Sequence, residues 1–161
     1  MDLKINLDYL ETPVGWLLIE ADSIGICRVS FLDDKKEDDA NPSSITSDCI
    51  GQLKEYFAGK RTAFSLPLNF SGTDFQKKVW SELMKIPYGK TISYQELALR
   101  LGDDKVIRAA GTANGKNPVA IIVPCHRVIG SDGTLVGYTG GLWRKKMLLE
   151  FEAGKKQAAL F

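Results

Sequence analysis

Around Ser71-Gly72-Thr73 the chain changes character, and that break restricts it to folds built from two modules. Upstream, β-branched and aromatic residues gather in short runs bounded by turn formers. Downstream, apolar residues recur at helical spacing. The charge changes sign near the same place. Residues 1–74 carry 7 Lys/Arg against 13 Asp/Glu, a net of −6, and residues 75–161 carry 14 against 7, a net of +7. The whole-chain value of +1 conceals this. A length of 161 residues suits one domain or two small ones packed together. The expected division is 1–72 and 73–161, an α+β chain with a small β-rich N-terminal domain and a helical C-terminal one. The basic second module suits a polyanion.

Several classes drop out. No apolar run approaches the roughly 18 residues of a membrane helix. The opening MDLKINLDYLETP lacks a basic segment followed by an apolar one, so no secretory signal is read. The expectation is a cytoplasmic protein with no membrane partner. Cys27, Cys49 and Cys125 are odd in number and form no CxxC pair. With the single His126 they make neither a disulfide framework nor a metal site, and no metal is expected.

In the first module, 14–20 and 24–32 read as strands and 33–42 as a charged surface loop. Residues 47–58 read as an amphipathic helix stopped by Gly59, and the alternation of Phe64, Leu66 and Leu68 as another short strand. In the second, Thr73 or Asp74 caps a helix over 75–85, with Phe75, Val79, Leu83 and Met84 or Ile86 inward. Pro87-Tyr88-Gly89 is a turn. Ser93 caps the next helix, with Glu96 completing a capping box and Gly102 ending it. Asp103-Asp104 opens a further helix over 105–114. Two short helices about a Gly-containing turn, about 93–115, have the outline of a helix-turn-helix. An ordinary hairpin in a core has the same outline. The small residues of VIRAAGTANG bury little area and allow close approach to another backbone, a nucleic-acid groove included.

The chemistry gathers after residue 117. VAIIV, 119–123, reads as a buried strand that leads into Pro124-Cys125-His126-Arg127-Val128. Thiolate is the reactive form of cysteine, and an imidazole or a cation nearby favours it. Adjacent side chains of an extended segment point to opposite sides, so a water bridges Cys125 and His126 more readily than a direct bond. A buried structural thiol fits Cys125 too, as it does Cys27 and Cys49, and a Cys-His thiol hydrolase fits the dipeptide. The Gly-rich stretch 129–141 can approach a flat ligand closely. A last helix over 142–151 presents Leu142, Met147, Leu148, Leu149 and Phe151. Glu152 at its end is disfavoured by the helix dipole, which points to a partner such as His126 or Arg127, or to a tolerated surface position.

Pro124-Cys125-His126-Arg127-Val128, Asn117-Pro118 before it and Gly137-Tyr138-Thr139-Gly140-Gly141-Leu142 after it resemble the methylated-DNA–protein-cysteine methyltransferases, the O6-alkylguanine-DNA alkyltransferases. Phe75-Gln76, Val79-Trp80, Ile86-Pro87-Tyr88-Gly89, Ser93-Tyr94, Arg108-Ala109-Ala110-Gly111, EYFAG (55–59) and FSLPL (64–68) extend the resemblance over nearly the whole chain. It implies a ribonuclease H-like N-terminal domain and a DNA-repair protein consumed by its own reaction. The partner implied is double-stranded DNA carrying O6-alkylguanine, bound in the minor groove by a monomer, with the damaged base flipped out. The alkyl group then moves irreversibly to a cysteine, without a cofactor.

By that resemblance Cys125 is the acceptor, His126 its base through a water, Glu152 the carboxylate orienting His126, and Asn117 a further hydrogen-bonding member. Tyr94 donates a proton toward the departing guanine. Val128 offers a carbonyl to the exocyclic amine, Thr139 a backbone N–H near the base oxygen, and Tyr138 a pocket wall. Arg108 fills the space left in the stack. Ser93, Ala109, Ala110, Gly111, Ala113 and Asn114 complete the implied substrate contacts. Asn114 and Thr139 sit where members vary. Some relatives bind zinc in the N-terminal half, for which this chain lacks ligands. A non-transferring branch replaces the acceptor, which is present here. The tail after Glu152 adds no recognisable element.

Overall fold

The computed structural model describes residues 4–34 and 39–154. The acidic loop at 33–39 lies largely outside them, as does the tail from residue 155. The chain divides into two compact units. One holds the residues through Ser71 together with Pro118–Ala120, and the other holds Gly72–Asn117 and the chain from Ile121 onward. No helix of the described residues is long and apolar enough to cross a membrane.

The first unit is a three-stranded antiparallel sheet, β1 (Asn6–Thr12), β2 (Gly15–Ala21) and β3 (Ile26–Leu32), with β2 central. Leu17, Ile19 and Ala21 alternate inward on β2 and are fully buried, the period-2 pattern of a sheet with one covered face. Sequence reasoning missed β1. Its Asn6 and Asp8 are poor strand formers, and as an edge strand it buries only Leu10. Helix α1 (Ser44–Phe57) turns Thr46, Cys49, Leu53 and Tyr56 inward. It starts three residues earlier than the apolar spacing predicts, because Ser43 and Thr46 form a reciprocal capping box.

The strand expected at 64–68 does not form. Only Leu68 bridges to Ile26, and Pro67 has no N–H to extend a ladder. Its carbonyl instead accepts from Ile26 N at 2.8 Å. A side chain on Gly25 would meet that carbonyl at 2.7 Å, so only glycine fits there. Pro118–Ala120 runs beside β3, with hydrogen bonds of 3.0 Å on both sides of Val29.

In the second unit, α2 (Asp74–Leu83) has a capping box between Thr73 and Gln76 and buries Val79, Trp80 and Leu83. Ile86 is buried too, whereas Met84 is exposed. β4 (Ile92–Ser93) leads directly into α3 (Tyr94–Arg100), whose N-cap Ser93 accepts from Glu96 N at 3.0 Å. The expected capping box is only half made, since the Glu96 carboxylate turns to Arg100. A 3-10 turn (Asp104–Val106) precedes α4 (Ile107–Gly115), so the α-helix begins two residues later than expected.

The strand expected at 119–123 is also absent. Val119, Ile121, Ile122 and Val123 are buried as a core run should be, but Ile121 has φ 69°. A β-branched residue in that left-handed region breaks extended geometry at a cost of about 1–3 kcal/mol. Cys125–Arg127 forms a 3-10 turn, followed by β5 (Val128–Ile129), which pairs in parallel with β4. The last helix, α5 (Leu142–Glu152), buries Arg144, Lys145, Leu148 and Glu152 and leaves Leu142 and Trp143 about half exposed. Its inward face is therefore largely charged, the reverse of the apolar face read from the sequence.

Candidate active site

Pro124 has φ −83° and ψ 62°, and Cys125 N donates to the Val123 carbonyl at 2.8 Å. This is an inverse γ-turn, a tight bend that proline's fixed φ favours. It delivers Cys125 and His126 into a 3-10 turn rather than onto the end of a strand. His126 is fully buried, and its Nε2 lies 2.8 Å from Glu152 Oε2.

Glu152 has a second partner. Arg127 Nε donates to its Oε1 at 2.7 Å and Nη2 to its Oε2 at 3.0 Å, a bidentate fork. Arg127 Nη1 donates to the Ile86 carbonyl at 2.7 Å, and the guanidinium lies over the Tyr88 ring. Burial pushes the Glu152 carboxyl up, but the imidazole and the guanidinium together hold it well below the usual carboxylate range. An ionised carboxylate only accepts, so His126 carries its proton on Nε2. Burial also lowers the imidazole, against the opposing pull of Glu152. The ring is neutral at pH 7, and its Nδ1 lone pair has no partner among the described residues.

Cys125 is 7% exposed. Burial pushes its thiol up, while a hydrogen bond from Asn117 and the charge of Lys145 push it down. Asn117 Nδ2 also donates to the Val123 carbonyl at 2.7 Å, which fixes its amide beside the turn. Asn114 reaches the same turn from α4, with Nδ2 donating to the Cys125 carbonyl at 3.3 Å. Tyr94 opens α3 and donates its hydroxyl to the Val136 carbonyl at 3.0 Å. Gly137, with φ 65°, passes so close that a side chain there would meet the Tyr94 hydroxyl at 3.3 Å. The Tyr94 phenol is raised by burial and by the nearby Cys125. Burial pushes the Tyr138 phenol far up as well, with Cys125 adding to it.

The structure thus brings Cys125, His126, Glu152, Asn117, Asn114, Tyr94 and Tyr138 into one neighbourhood. Val128 is buried in β5, one residue past the turn, and Thr139 donates its hydroxyl to the Gly115 carbonyl at 2.5 Å. Ser93 is spent as the cap of α3. The α4 residues divide. Arg108 and Ala109 are exposed and Gly111 half-exposed, while Ala110 and Ala113 turn inward, the Ala113 carbonyl accepting from Trp80 Nε1 at 2.9 Å. Ala110 and Ala113 are core residues and cannot form a groove-facing surface. Sequence reasoning named His126 or Arg127 as a partner for Glu152, and both pair with it, but it passed over Lys145. Lys145 shares a helical stripe with Leu148 and Glu152, the one signal that would have pointed inward.

Two family models match the chain. The ribonuclease-like domain of 6-O-methylguanine DNA methyltransferase matches residues 5–70, and the DNA binding domain of the same protein matches residues 74–154. The chain is 45% identical over 150 residues to the methylated-DNA–protein-cysteine methyltransferase of Methanosarcina barkeri, covering 90% of this chain and 95% of that one. The crystal structure of Mycobacterium tuberculosis O6-methylguanine methyltransferase superposes with a TM-score of 0.85 at 41% identity, covering 96% of both chains. That of Mycobacterium tuberculosis OGT in complex with DNA gives 0.86 at 42% identity, covering 96% of this chain and 97% of that one.

Proposed function

The chain belongs to the methylated-DNA–protein-cysteine methyltransferases, and on that premise we propose that it repairs DNA by moving an alkyl group from O6 of guanine onto its own Cys125, once per molecule. The observation that carries this reading is the buried His126–Glu152–Arg127 chain beside Cys125. It fixes the imidazole in the tautomer whose Nδ1 can accept a proton.

The Cys125 S–H bond breaks, and its proton passes through a water to His126 Nδ1. The thiolate then attacks the alkyl carbon. An S–C bond forms as the C–O6 bond breaks, and the electron pair stays on guanine. Tyr94 gives its hydroxyl proton to the departing base, which leaves neutral rather than as an anion, and is reprotonated through solvent, to which His126 returns the proton it took from the thiol. The product thioether has no second nucleophile to release it, so the protein is spent. No cofactor enters this balance.

A thiol only 7% exposed cannot reach an atom inside a stacked duplex, which supports extrusion of the base. Val128, Tyr138 and Thr139 then border the base, with Asn117 fixing the thiol. The exposed ridge of α4 is small, with Arg108 beside Ala109 and Gly111, and suits the minor groove, Arg108 filling the gap left by the base. The protein acts as a monomer in the cytoplasm on double-stranded DNA.

Intact mass after mixing with an oligonucleotide holding one O6-methylguanine tests this. One added methyl group, mapped to the Cys125 peptide and stopping at one equivalent, is expected. Unchanged mass with the DNA still bound overturns transfer and makes the chain a damage-binding protein.

A further inference from the structure

Asn114 points inward from α4 and is 1% exposed. Its Nδ2 donates to the Cys125 carbonyl at 3.3 Å, which fixes the way the amide faces. Turned over, the amide would set two oxygens against each other. One turn earlier on the same face, a side chain on Gly111 would meet the Tyr94 ring at 3.6 Å. This stripe of α4 thus borders both the turn that carries the thiol and the phenol. Asn114 Oδ1 is buried and accepts no hydrogen bond from the described residues. Such an acceptor is costly, and rare in a native fold. The donors that the site brings together are committed elsewhere. Tyr94 gives its hydroxyl to the Val136 carbonyl, Asn117 its Nδ2 to the Val123 carbonyl, Thr139 its hydroxyl to the Gly115 carbonyl and His126 its Nε2 proton to Glu152. The Cys125 carbonyl has no lone pair to spare, because Val128 N and Asn114 Nδ2 both donate to it. A donor brought in beside Cys125 therefore finds Asn114 Oδ1 as the open acceptor.

We infer that Asn114 Oδ1 accepts one hydrogen of the guanine 2-amino group and so selects guanine among O6-alkylated purines. This rests on the reading that O6-alkylguanine enters beside Cys125, and it gives that site a specificity-determining side chain. Alkylation of O6 removes the hydrogen from N1, and the sugar occupies N9. N1, N3 and N7 then only accept, so the 2-amino group is the one N–H donor of the base. It has two hydrogens. The Val128 carbonyl takes one, and Asn114 Oδ1 takes the other. O6-alkylhypoxanthine is the same base without that amine, and it leaves the buried oxygen unpaired. A site built around a hydrogen bond discriminates strongly against an analogue that lacks the donor.

The test uses duplex oligonucleotides that hold one O6-methylguanine or one O6-methylhypoxanthine. Methyl-transfer rates are read by mass on the Cys125 peptide for wild type, Asn114→Ala and Asn114→Leu. The readout is the ratio of the two rates within each protein, compared between proteins, so that differences in base pairing cancel. Wild type is expected to prefer guanine, and each variant to lose about tenfold of that preference. A wild type without preference overturns the assignment. So does a ratio that Asn114→Ala leaves unchanged, even where both rates fall, since equal slowing makes the effect one of packing. If Asn114→Leu loses its helical circular dichroism, Asn114→Ala decides alone. Affinity for the two duplexes is compared in parallel by fluorescence anisotropy, with Cys125→Ala in every protein so that no methyl group moves. Absent transfer, together with a binding preference for O6-methylguanine that Asn114→Ala loses, sinks the acceptor reading alone. Normal transfer with ratios unchanged in both assays sinks the Asn114 assignment alone. Neither transfer nor a binding preference sinks both.

Discussion

Burying the Glu152 carboxylate is unfavourable by itself, and His126 and Arg127 together offset it. Removing one partner of a buried pair leaves charge without compensation, so Arg127→Met is expected to destabilise the fold by about 3 kcal/mol at pH 7, read by urea unfolding. A loss below about 1 kcal/mol would mean that His126 suffices. The pH dependence follows from two downward shifts. A folded-state value below the unfolded one stabilises the protein above the unfolded value and is lost on acidification. For His126 the loss begins as pH falls below about 6.5, and for Glu152 below about 4.3. The urea midpoint of wild type should therefore fall from pH 7 to pH 5 and fall further below pH 4.3, and a flat profile would contradict the buried neutral imidazole. At this scale Cys125, His126 and Glu152 were legible because each is unusual in its local context. Arg127 was legible as a partner for Glu152, whereas Lys145 was not, because a charged residue on a helix ordinarily reads as solvated.

Two residues of β4 and two of β5 join the start of α3 to the end of the Cys-His-Arg turn. Ser93 is both the last residue of that strap and the cap of α3, so Tyr94 inherits its position from a ladder and a hydrogen bond at once. Ser93 and the start of α3 were readable as a cap, whereas the strap, only two residues long, leaves no periodic signal. The failures at 64–68 and 119–123 share a cause. Both segments have the apolar content of strands, but Pro67 removes a donor and Ile121 leaves extended geometry, and neither effect shows in an apolar pattern. Helix α4 shows what its pattern can do. Ala110, Ala113 and Asn114 pack inward at helical spacing, which leaves Arg108 on the open side. Arg108→Ala is expected to slow transfer from duplex DNA about tenfold or more, since the gap in the stack goes unfilled at a cost of a few kcal/mol. Transfer from free O6-methylguanine should be unaffected. Equal slowing of both substrates would remove Arg108 from any part in extracting the base.

For the chain as a whole, the split of −6 and +7 between its halves was legible from composition alone, as was the break near Ser71-Gly72-Thr73. The return of Pro118–Ala120 to the first unit was not, because a three-residue stretch beside β3 carries no pattern of its own. The charge split bears on how DNA would be held. A protein that binds through phosphates releases condensed counterions, and its affinity falls as a power of salt concentration set by the number of phosphates neutralised. About four such contacts would weaken binding roughly a hundredfold between 50 and 200 mM salt. Fluorescence anisotropy with unmodified duplexes of several sequences should show that slope, nearly the same for each. The chemical step involves no phosphate, so methyl transfer from the free base should hardly change over the same range. A salt-independent duplex affinity would assign recognition to apolar and base contacts, and a slope that differs between sequences would assign part of it to base reading in a groove.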